Sequence, residues 1–579
     1  MRHFMRLSLI LVLLLATTLA VACGNDKTKT ETSAESTTAN AVTTTATEAT
    51  SANTSGSTAT TTEKPVTVTT AETTPDVNVT TTSAIIDKPV CSEHTLSANG
   101  SYCTVCYTVI QLDSKEYKDM VYFNCDSETL TKAYQIAFDD ITGNIKNYKA
   151  GVLTESVPCI MAGGDYNTPW TRDTAINVWN SIALMRPDVA KNTLLSVLKK
   201  SGGKNYLIDG EYWDAIIWAI GAEQYINVTH DTEFTEIAQN AIKNSLSNYE
   251  RTEYDSTDGL FRGGAVYGDG IAAYPDKYAI GAPNSNIMGW LGNPNNTISS
   301  TLPGKGLPMK ALSTNCVYYQ AYVILARLNA KLGLDTTEPL QKAEAMKEAI
   351  NKAFWNEEKG SYDYLAYDCD YQEAIGLAFV LMFGIADERQ AALVLQNTQV
   401  TENGIGIVWP SFDRYLEVGE YGRHAGVVWP HGQAFWAQAC AQYNYYYGYE
   451  YELFLMAQKA VRDNQFYEIY HPDTGSPYGG IQEVGSSTMT MHTSCRHQTW
   501  SATGYLSLVY YELLGANISE NEVTFTPYLP EGVNEATISN FKVGSATMDI
   551  VIIRGGSTAS VATIDTTVEG NHRIVLSVQ

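Results

Sequence analysis

Between Ser127 and Leu514, apolar residues recur at three- and four-residue spacing in twelve separate stretches. Such a chain can bury them only by packing helix on helix. The stretches are roughly 127–147, 171–184, 187–201, 211–227, 232–251, 308–332, 337–357, 371–384, 387–396, 429–447, 450–463 and 499–514. Twelve helices taken in order make six hairpins, so the predicted fold class is mostly α. The connections alternate in character. Some are abrupt, as at Arg186-Pro187, and others are long and rich in Gly, Asn, Tyr and Trp, as from Asp255 to Leu307. Long loops in compact domains tend to carry function. If the hairpins close into a ring, these loops gather at one end of it and line a pocket.

The flanks differ in kind. From about Val523 the pattern turns to short alternating runs, VTFTPYL, ATMDIVIIR, ASVATIDT and HRIVLSV, separated by Gly and Asn. This predicts a small antiparallel β module over 517–579, without a catalytic constellation. At the other end, residues 1–23 combine basic Arg2 and Arg6 with an apolar run from Leu7 to Leu19, and read as an export signal. Its end, Ala20-Val21-Ala22-Cys23, resembles a bacterial lipobox, in which the cysteine (here Cys23) is lipidated; Ala20 stands where that pattern favours Leu. The expectation is a cell-surface lipoprotein held to the membrane by its N-terminus. Residues 24–83 are almost wholly Thr, Ser, Ala, Glu and Val, too poor in large apolar groups to offset the entropy of ordering. They are expected to form a disordered tether.

Residues 84–125 carry Cys91-Ser-Glu-His94 and Cys103-Thr-Val-Cys106. Three thiolates and an imidazole in two close pairs have the ligand types and spacing of a structural zinc site. In an exported protein, Cys91, Cys103, Cys106 and Cys125 also suit disulfides, and free thiols are a third reading. Sequence leaves all three open.

Composition narrows the partner. A net charge of −25 opposes contact with phosphate backbones, so nucleic acid is not expected. The 37 Tyr and 10 Trp supply flat apolar faces with polar tips, which suit sugars and equally suit a large core. Histidines and cysteines in the helical region lack regular ligand spacing, and no cofactor is expected.

Individual loops carry the chemistry. In GGDYNTPWTRDTAINVW (Gly163 to Trp179), Trp170, Arg172 and Asp173 stand together where a helix begins. Asp173 there complements the helix dipole, and Arg172 can simply pair with it. The functional reading is a donor and acceptor fork for vicinal hydroxyls beside a stacking face. In DGLFRGGAVYGDGIAAYPDKY (Asp258 to Tyr278), Asp269 sits among glycines with Tyr267 and Tyr274 nearby. Glycines admit a ligand close to the backbone, and aromatic walls keep a carboxyl protonated. A plain Gly-Asp-Gly turn favours the same residues. In FYEIYHPDTGSPYGG (Phe466 to Gly480), Glu468 stands among tyrosines, just before a Pro-Asp-Thr-Gly turn.

PWTRDTAI resembles a segment of the six-hairpin (α/α)6 glycosidases, among them glucoamylases and glycogen-debranching glucosidases, where the Arg-Asp pair holds the sugar in the −1 subsite. YWDAIIWAIGAEQYI (Tyr212 to Ile226) is similar to their second inner helix and brings Trp213 and Asp214 to the pocket. HAGVVWPHGQAFWA (His424 to Ala437) resembles their Trp-Pro segment, with Trp429, His431 and Gln433 as lining residues. HQTWSATGYLSLVYYEL (His497 to Leu513), with Trp500, looks like the last helix of family 63 glycoside hydrolases. The likeness spans about residues 120 to 515. It implies an (α/α)6 toroid over 126–516 that cleaves α-glycosidic bonds of a neutral oligosaccharide.

In family 63 glucosidases and family 37 trehalases the base is a Glu in a Glu-x-Tyr segment before a Trp-Ser-Ala or Trp-Thr helix. Glu468-Ile469-Tyr470 ahead of Trp500 matches that arrangement, whereas the insert from Gly479 to Arg496 departs from it and adds a competitor, Glu483. The resemblance also puts the acid in the long middle loop, with Asp269 ahead of Asp258, and the pair implies inversion. A glycan-binding surface lipoprotein, a glycoside phosphorylase and a polysaccharide lyase are the alternatives on the same toroid.

Overall fold

The computed structural model describes residues 78–80, 91–97, 100, 102–106, 108, 120–203, 205–210, 213–279, 285–287, 307, 309–485, 488–519, 522–544, 546–555, 559–566 and 572–578. The leader with Cys23 and the tether, apart from 78–80, lie outside the described residues.

Each of the twelve stretches holds a helix: α1 Glu128–Gly143, α2 Thr171–Asn177, α3 Pro187–Ser196, α4 Trp218–Thr229, α5 Thr232–Thr252, α6 Leu312–Lys331, α7 Thr337–Phe354, α8 Ala374–Met382, α9 Glu388–Asn397, α10 Pro430–Gln442, α11 Tyr446–Asp463 and α12 Thr499–Ser507. α2 and α12 run on through π-helical turns, Val178–Ile182 and Leu508–Leu513, and α4 is entered through a 3₁₀ turn, Ala215–Ile217.

Burial divides the helices into two sets. Every residue of α2, α8 and α12 but Met382 is buried, and α10 is buried from Pro430 to Ala441. α5, α7, α9 and α11 bury one stripe and expose the other. A helix apolar all round must sit inside, and a striped one outside. The neighbours agree: α2 packs on α4, α4 on α6, α6 on α8, α8 on α10, α10 on α12, and α12 returns to α2. This closed inner ring, wrapped by the odd-numbered helices, is an (α/α)6 toroid. Because outer and inner helices alternate along the chain, all six inner helices start at the same end. The connections entering them are the long loops.

Flanking structure departs from the expected boundaries in two places. Strands Glu535–Val543, Ala546–Gly555, Ala559–Thr566 and His572–Val578 form an antiparallel sheet, and Tyr122–Cys125 joins its edge beside Glu535–Val543. The end of the cysteine-bearing segment is thus built into the C-terminal sheet. Asn78–Thr80, assigned by composition to the tether, pairs in parallel with Glu522–Phe525, which pairs with Ala516–Ile518. Val79 and Thr80 are β-branched and suit an edge strand.

Candidate active site

The end of the ring where the inner helices begin carries a cavity of about 250 Å³. Trp170 precedes α2, Trp429 precedes α10 and Gln498 precedes α12, and all three line it. Pro430 fits the first helical position, where its fixed φ suits the helix and no N–H is needed. Of the residues expected in the pocket, Trp170, Arg172, Asp173, Asp269, Trp429, Glu468 and Trp500 line the cavity. Tyr267, expected as an aromatic wall beside Asp269, lines it too, and Tyr166, Gly270, Arg423, His424, Gln482 and Gln498 join the lining.

Glu468 is held from every side. Its segment is fixed by Glu468 N–H donating to Cys495 O at 3.0 Å, and by Tyr470 and Val428 exchanging backbone hydrogen bonds at 2.8 and 3.0 Å. The carboxylate meets Arg423 Nη2 at 2.5 Å through Oε2 and accepts the Tyr166 hydroxyl at 3.2 Å through Oε1. Only 4% of its side chain is exposed. Arg423 is itself oriented, donating to Gly479 O at 3.0 Å and lying over Trp429.

Asp269 enters from the other side. Its loop is pinned by Ile287 N–H donating to Asp269 O at 2.8 Å and Ile271 N–H donating to Ser285 O at 2.9 Å. A Cβ on Gly270 would collide with Gln482 and His424, so only glycine lets the loop pass beneath them. The carboxylate lies 3.9 Å from Arg172 Nη2 and 3.7 Å from His424 Nε2, and 35% of its side chain is exposed. Burial, then Arg423 and Arg172, hold His424 well below the ordinary histidine range, so it is neutral. The expected aromatic wall is present on one side. Tyr267 lines the cavity, whereas Tyr274 lies behind the loop, accepting Ala265 N–H and donating to Gly268 O.

Four expected lining residues stand behind the cavity. Asp214 is buried and accepts Arg172 Nη1 at 2.8 Å; burial pushes its carboxyl up to about 6 in spite of the guanidinium. It orients Arg172. Trp213 is buried and its carbonyl accepts the Tyr318 hydroxyl at 2.8 Å. His431 stacks on Trp500 at 4.3 Å and fixes that ring. Gln433 donates to Glu452 at 2.6 Å and accepts Lys459 Nζ at 3.2 Å, between α10 and α11. At about 1.5 Å of rise per residue, Gln433 is roughly one turn below Trp429, too deep for a cavity at the helix ends.

Neither competing carboxylate lines the cavity. Glu483 is tied to Arg414 Nε at 2.8 Å and to the Tyr415 hydroxyl at 2.9 Å. Asp258 pairs with Lys310 at 2.5 Å. The insert that carries Glu483 folds as a hairpin, Ile481–Gly485 with Thr488–Met491, and brings Gln482 to the cavity edge.

A donor and acceptor fork, stacking faces and two separately held carboxylates in one cavity suit glycoside hydrolysis. The family described as mannosylglycerate hydrolase MGH1-like glycoside hydrolase domain matches residues 170–501, more than half of the chain, from the first cavity tryptophan to just past the last. The chain belongs to that family. It therefore carries a glycoside hydrolase domain, built here as an (α/α)6 toroid. No curated protein matches it. Among solved structures, a sialidase superposes with a TM-score of 0.58 at 14% identity, covering 79% of this chain and 41% of its own. The family 78 rhamnosidase of Bacillus sp. GL1 gives 0.48 at 14% identity, covering 77% and 42%. The family 63 mannosylglycerate hydrolase of Thermus thermophilus, in complex with glucose, gives 0.47 at 15% identity, covering 65% of this chain and 100% of that one. The chain thus spans about two fifths of the length of the sialidase and the rhamnosidase. At such identities the sialidase match speaks for the fold alone.

Proposed function

We propose that the hydrolase cleaves α-glycosidic bonds of neutral oligosaccharides with inversion, Asp269 acting as general acid and Glu468 as general base. One observation carries this reading: the two carboxylates line one cavity, one a third exposed with Arg172 and His424 at 3.9 and 3.7 Å, the other enclosed between Arg423 and Tyr166. In the proposed reaction Asp269 donates its proton to the leaving oxygen as the glycosidic bond breaks. Glu468 takes a proton from a water that attacks the anomeric carbon from the opposite face. Each turnover exchanges the two protonation states, and solvent restores them. Arg172 and Asp173 bind vicinal hydroxyls of the −1 sugar, and Trp170, Trp429 and Trp500 provide stacking faces.

With Asp269 holding its proton, Asp173 and Glu468 match the guanidiniums of Arg172 and Arg423 in number, so the lining has no surplus positive charge to draw in an anionic sugar, which favours an uncharged one. The matched family is described by a mannosylglycerate hydrolase, so mannosides stand beside glucosides as candidates. The leader and Cys23 support an exported lipoprotein, tethered to the membrane and acting outside the cytoplasm.

Incubation of the purified chain with a panel of aryl and disaccharide α-glycosides, followed by ¹H NMR of the first product, tests sugar and stereochemistry together. The β anomer as first product is expected. An α product would replace inversion by retention, and binding without turnover of any glycoside would leave a glycan-binding protein.

A further inference from the structure

Outside the toroid, Cys91, His94, Cys103 and Cys106 bring their ligand atoms within 4.8 Å of one another. We propose that this cluster is a structural zinc site of the Cys₃His type that clamps the segment preceding the catalytic domain.

The geometry separates the readings that sequence leaves open. The Sγ atoms of Cys91 and Cys103 are 4.0 Å apart, and Cys106 Sγ lies 3.4 Å from His94 Nδ1. In a zinc tetrahedron with bonds of about 2.3 Å to sulfur and 2.0–2.1 Å to nitrogen, ligand atoms stand about 3.8 Å apart for S and S, and about 3.6 Å for S and N. Disulfide sulfurs would be bonded at about 2.05 Å. Cys125, the remaining candidate for a disulfide, belongs elsewhere: its thiol donates to Ser127 O at 3.4 Å and neighbours Thr131 at the start of α1. No disulfide joins the described cysteines to one another.

The backbone is shaped for the same purpose. Leu96 and Cys103 form an antiparallel bridge, with Thr104 N–H donating to Thr95 O at 2.8 Å and Ser97 N–H to Tyr102 O at 2.8 Å. The turn is closed by Gly100 N–H donating to Ser97 O, with Gly100 at φ +73°. This hairpin brings the Cys91-x₂-His94 pair against the Cys103-x₂-Cys106 pair. Cys106 N–H points at Cys103 Sγ at 3.5 Å, and the Thr108 hydroxyl is 3.2 Å from Cys106 Sγ. Donors to ligand sulfurs are the usual outer support of a thiolate site.

Energetics require a staple. Among the described residues of 91–108, the buried apolar side chains are Tyr102, Cys103 and Cys106, while Leu96 and Val105 are exposed. So small a core cannot order its own backbone, and small units of this kind are commonly held by a metal. Four protein ligands close the coordination sphere, so the site is structural rather than catalytic. Binding exchanges the three thiol protons for one Zn²⁺, with the imidazole neutral, and leaves a net charge of −1. The Tyr102 hydroxyl donates to Glu535 Oε2 at 2.9 Å, on the strand that pairs with Tyr122–Cys125. The clamp thus seats the incoming chain on the C-terminal sheet.

The test is metal analysis of the full chain, purified without chelator, by inductively coupled plasma mass spectrometry. One zinc per chain is expected, falling to near zero in Cys103→Ser/Cys106→Ser and unchanged in Glu468→Gln. Turnover by the cysteine variant should match that of the unaltered protein, because the cluster lies outside the cavity. If the variant does not fold, Co²⁺ exchanged into the unaltered protein should give the ligand-field and thiolate charge-transfer bands of a tetrahedral site. Zinc-free protein without those cobalt bands overturns the proposal. So do zinc content indifferent to the cysteine substitutions and intact-mass or peptide analysis showing these cysteines as disulfides.

Discussion

Glu468 and Asp269 face one cavity from opposite surroundings. Glu468 is enclosed, clasped by a guanidinium at 2.5 Å and a tyrosine hydroxyl at 3.2 Å; Asp269 is a third exposed, with Arg172 and His424 beyond hydrogen-bonding distance. The clasped carboxylate has its charge balanced within the protein and its orientation fixed, which suits a group that must stay ionised and aim a water. The open one has its hydrogen-bonding capacity left over for a substrate oxygen. Another carboxyl at the same end of the ring, Glu373, sharpens the lesson. It is as buried as Glu468, but among the described residues its hydrogen bonds come from the neutral Ser313, whose N–H donates at 3.1 Å, and burial pushes it up to about 8. Burial alone neutralises a carboxyl, and burial beside Arg423 gives Glu468 a counter-charge.

The comparison can be broken at several points. Glu468→Gln removes the base while preserving shape, and kcat should fall between about 10²- and 10⁴-fold with substrate affinity retained, measured by turnover and calorimetric binding. Arg423→Ala leaves Glu468 buried without its counter-charge. The expected loss is about 3–5 kcal/mol of stability, read by urea unfolding. For Glu373 the folded carboxyl binds its proton up to about pH 8 whereas the unfolded one releases it near 4.5, so stability falls as pH rises between those values. Glu373→Gln should flatten that dependence, which is on the order of 1 kcal/mol per pH unit, in melting curves recorded from pH 5 to 8. The smallest effects on turnover are expected at the carboxylates outside the cavity. Asp258→Asn should leave kcat unchanged, and Glu483→Gln should lower the melting temperature through Arg414 without changing kcat.

The toroid was legible because helical periodicity is a local signal, and twelve repetitions of it leave few ways to pack. Trp170, Arg172, Asp173, Trp429, Glu468 and Trp500 were legible because each lies within a few residues of the start of an inner helix or in a distinctive loop. Their supporting groups were less so. Arg423 stands immediately before the Trp-Pro segment and His424 opens it, yet only the fold turns them toward Glu468 and Asp269. Tyr166 sits in the quoted loop, and its pairing with a glutamate 302 residues away is invisible in one sequence. The resemblance of the Trp-Pro segment puts Gln433 at the cavity with Trp429, and helical rise carries it below. The strand Glu535–Val543 was missed among the alternating runs, and its pairing with Tyr122–Cys125 joins segments too distant for any local pattern.

The division of labour between the two carboxylates is tested most directly by the leaving-group dependence of Asp269→Asn and Glu468→Gln, assayed on a dinitrophenyl glycoside and on a disaccharide of the same sugar. A dinitrophenolate departs without protonation, so Asp269→Asn should lose little on the aryl substrate and much on the disaccharide, while Glu468→Gln should lose heavily on both. Equal losses for Asp269→Asn on the two substrates, or full activity of that variant on the disaccharide, would contradict the assignment.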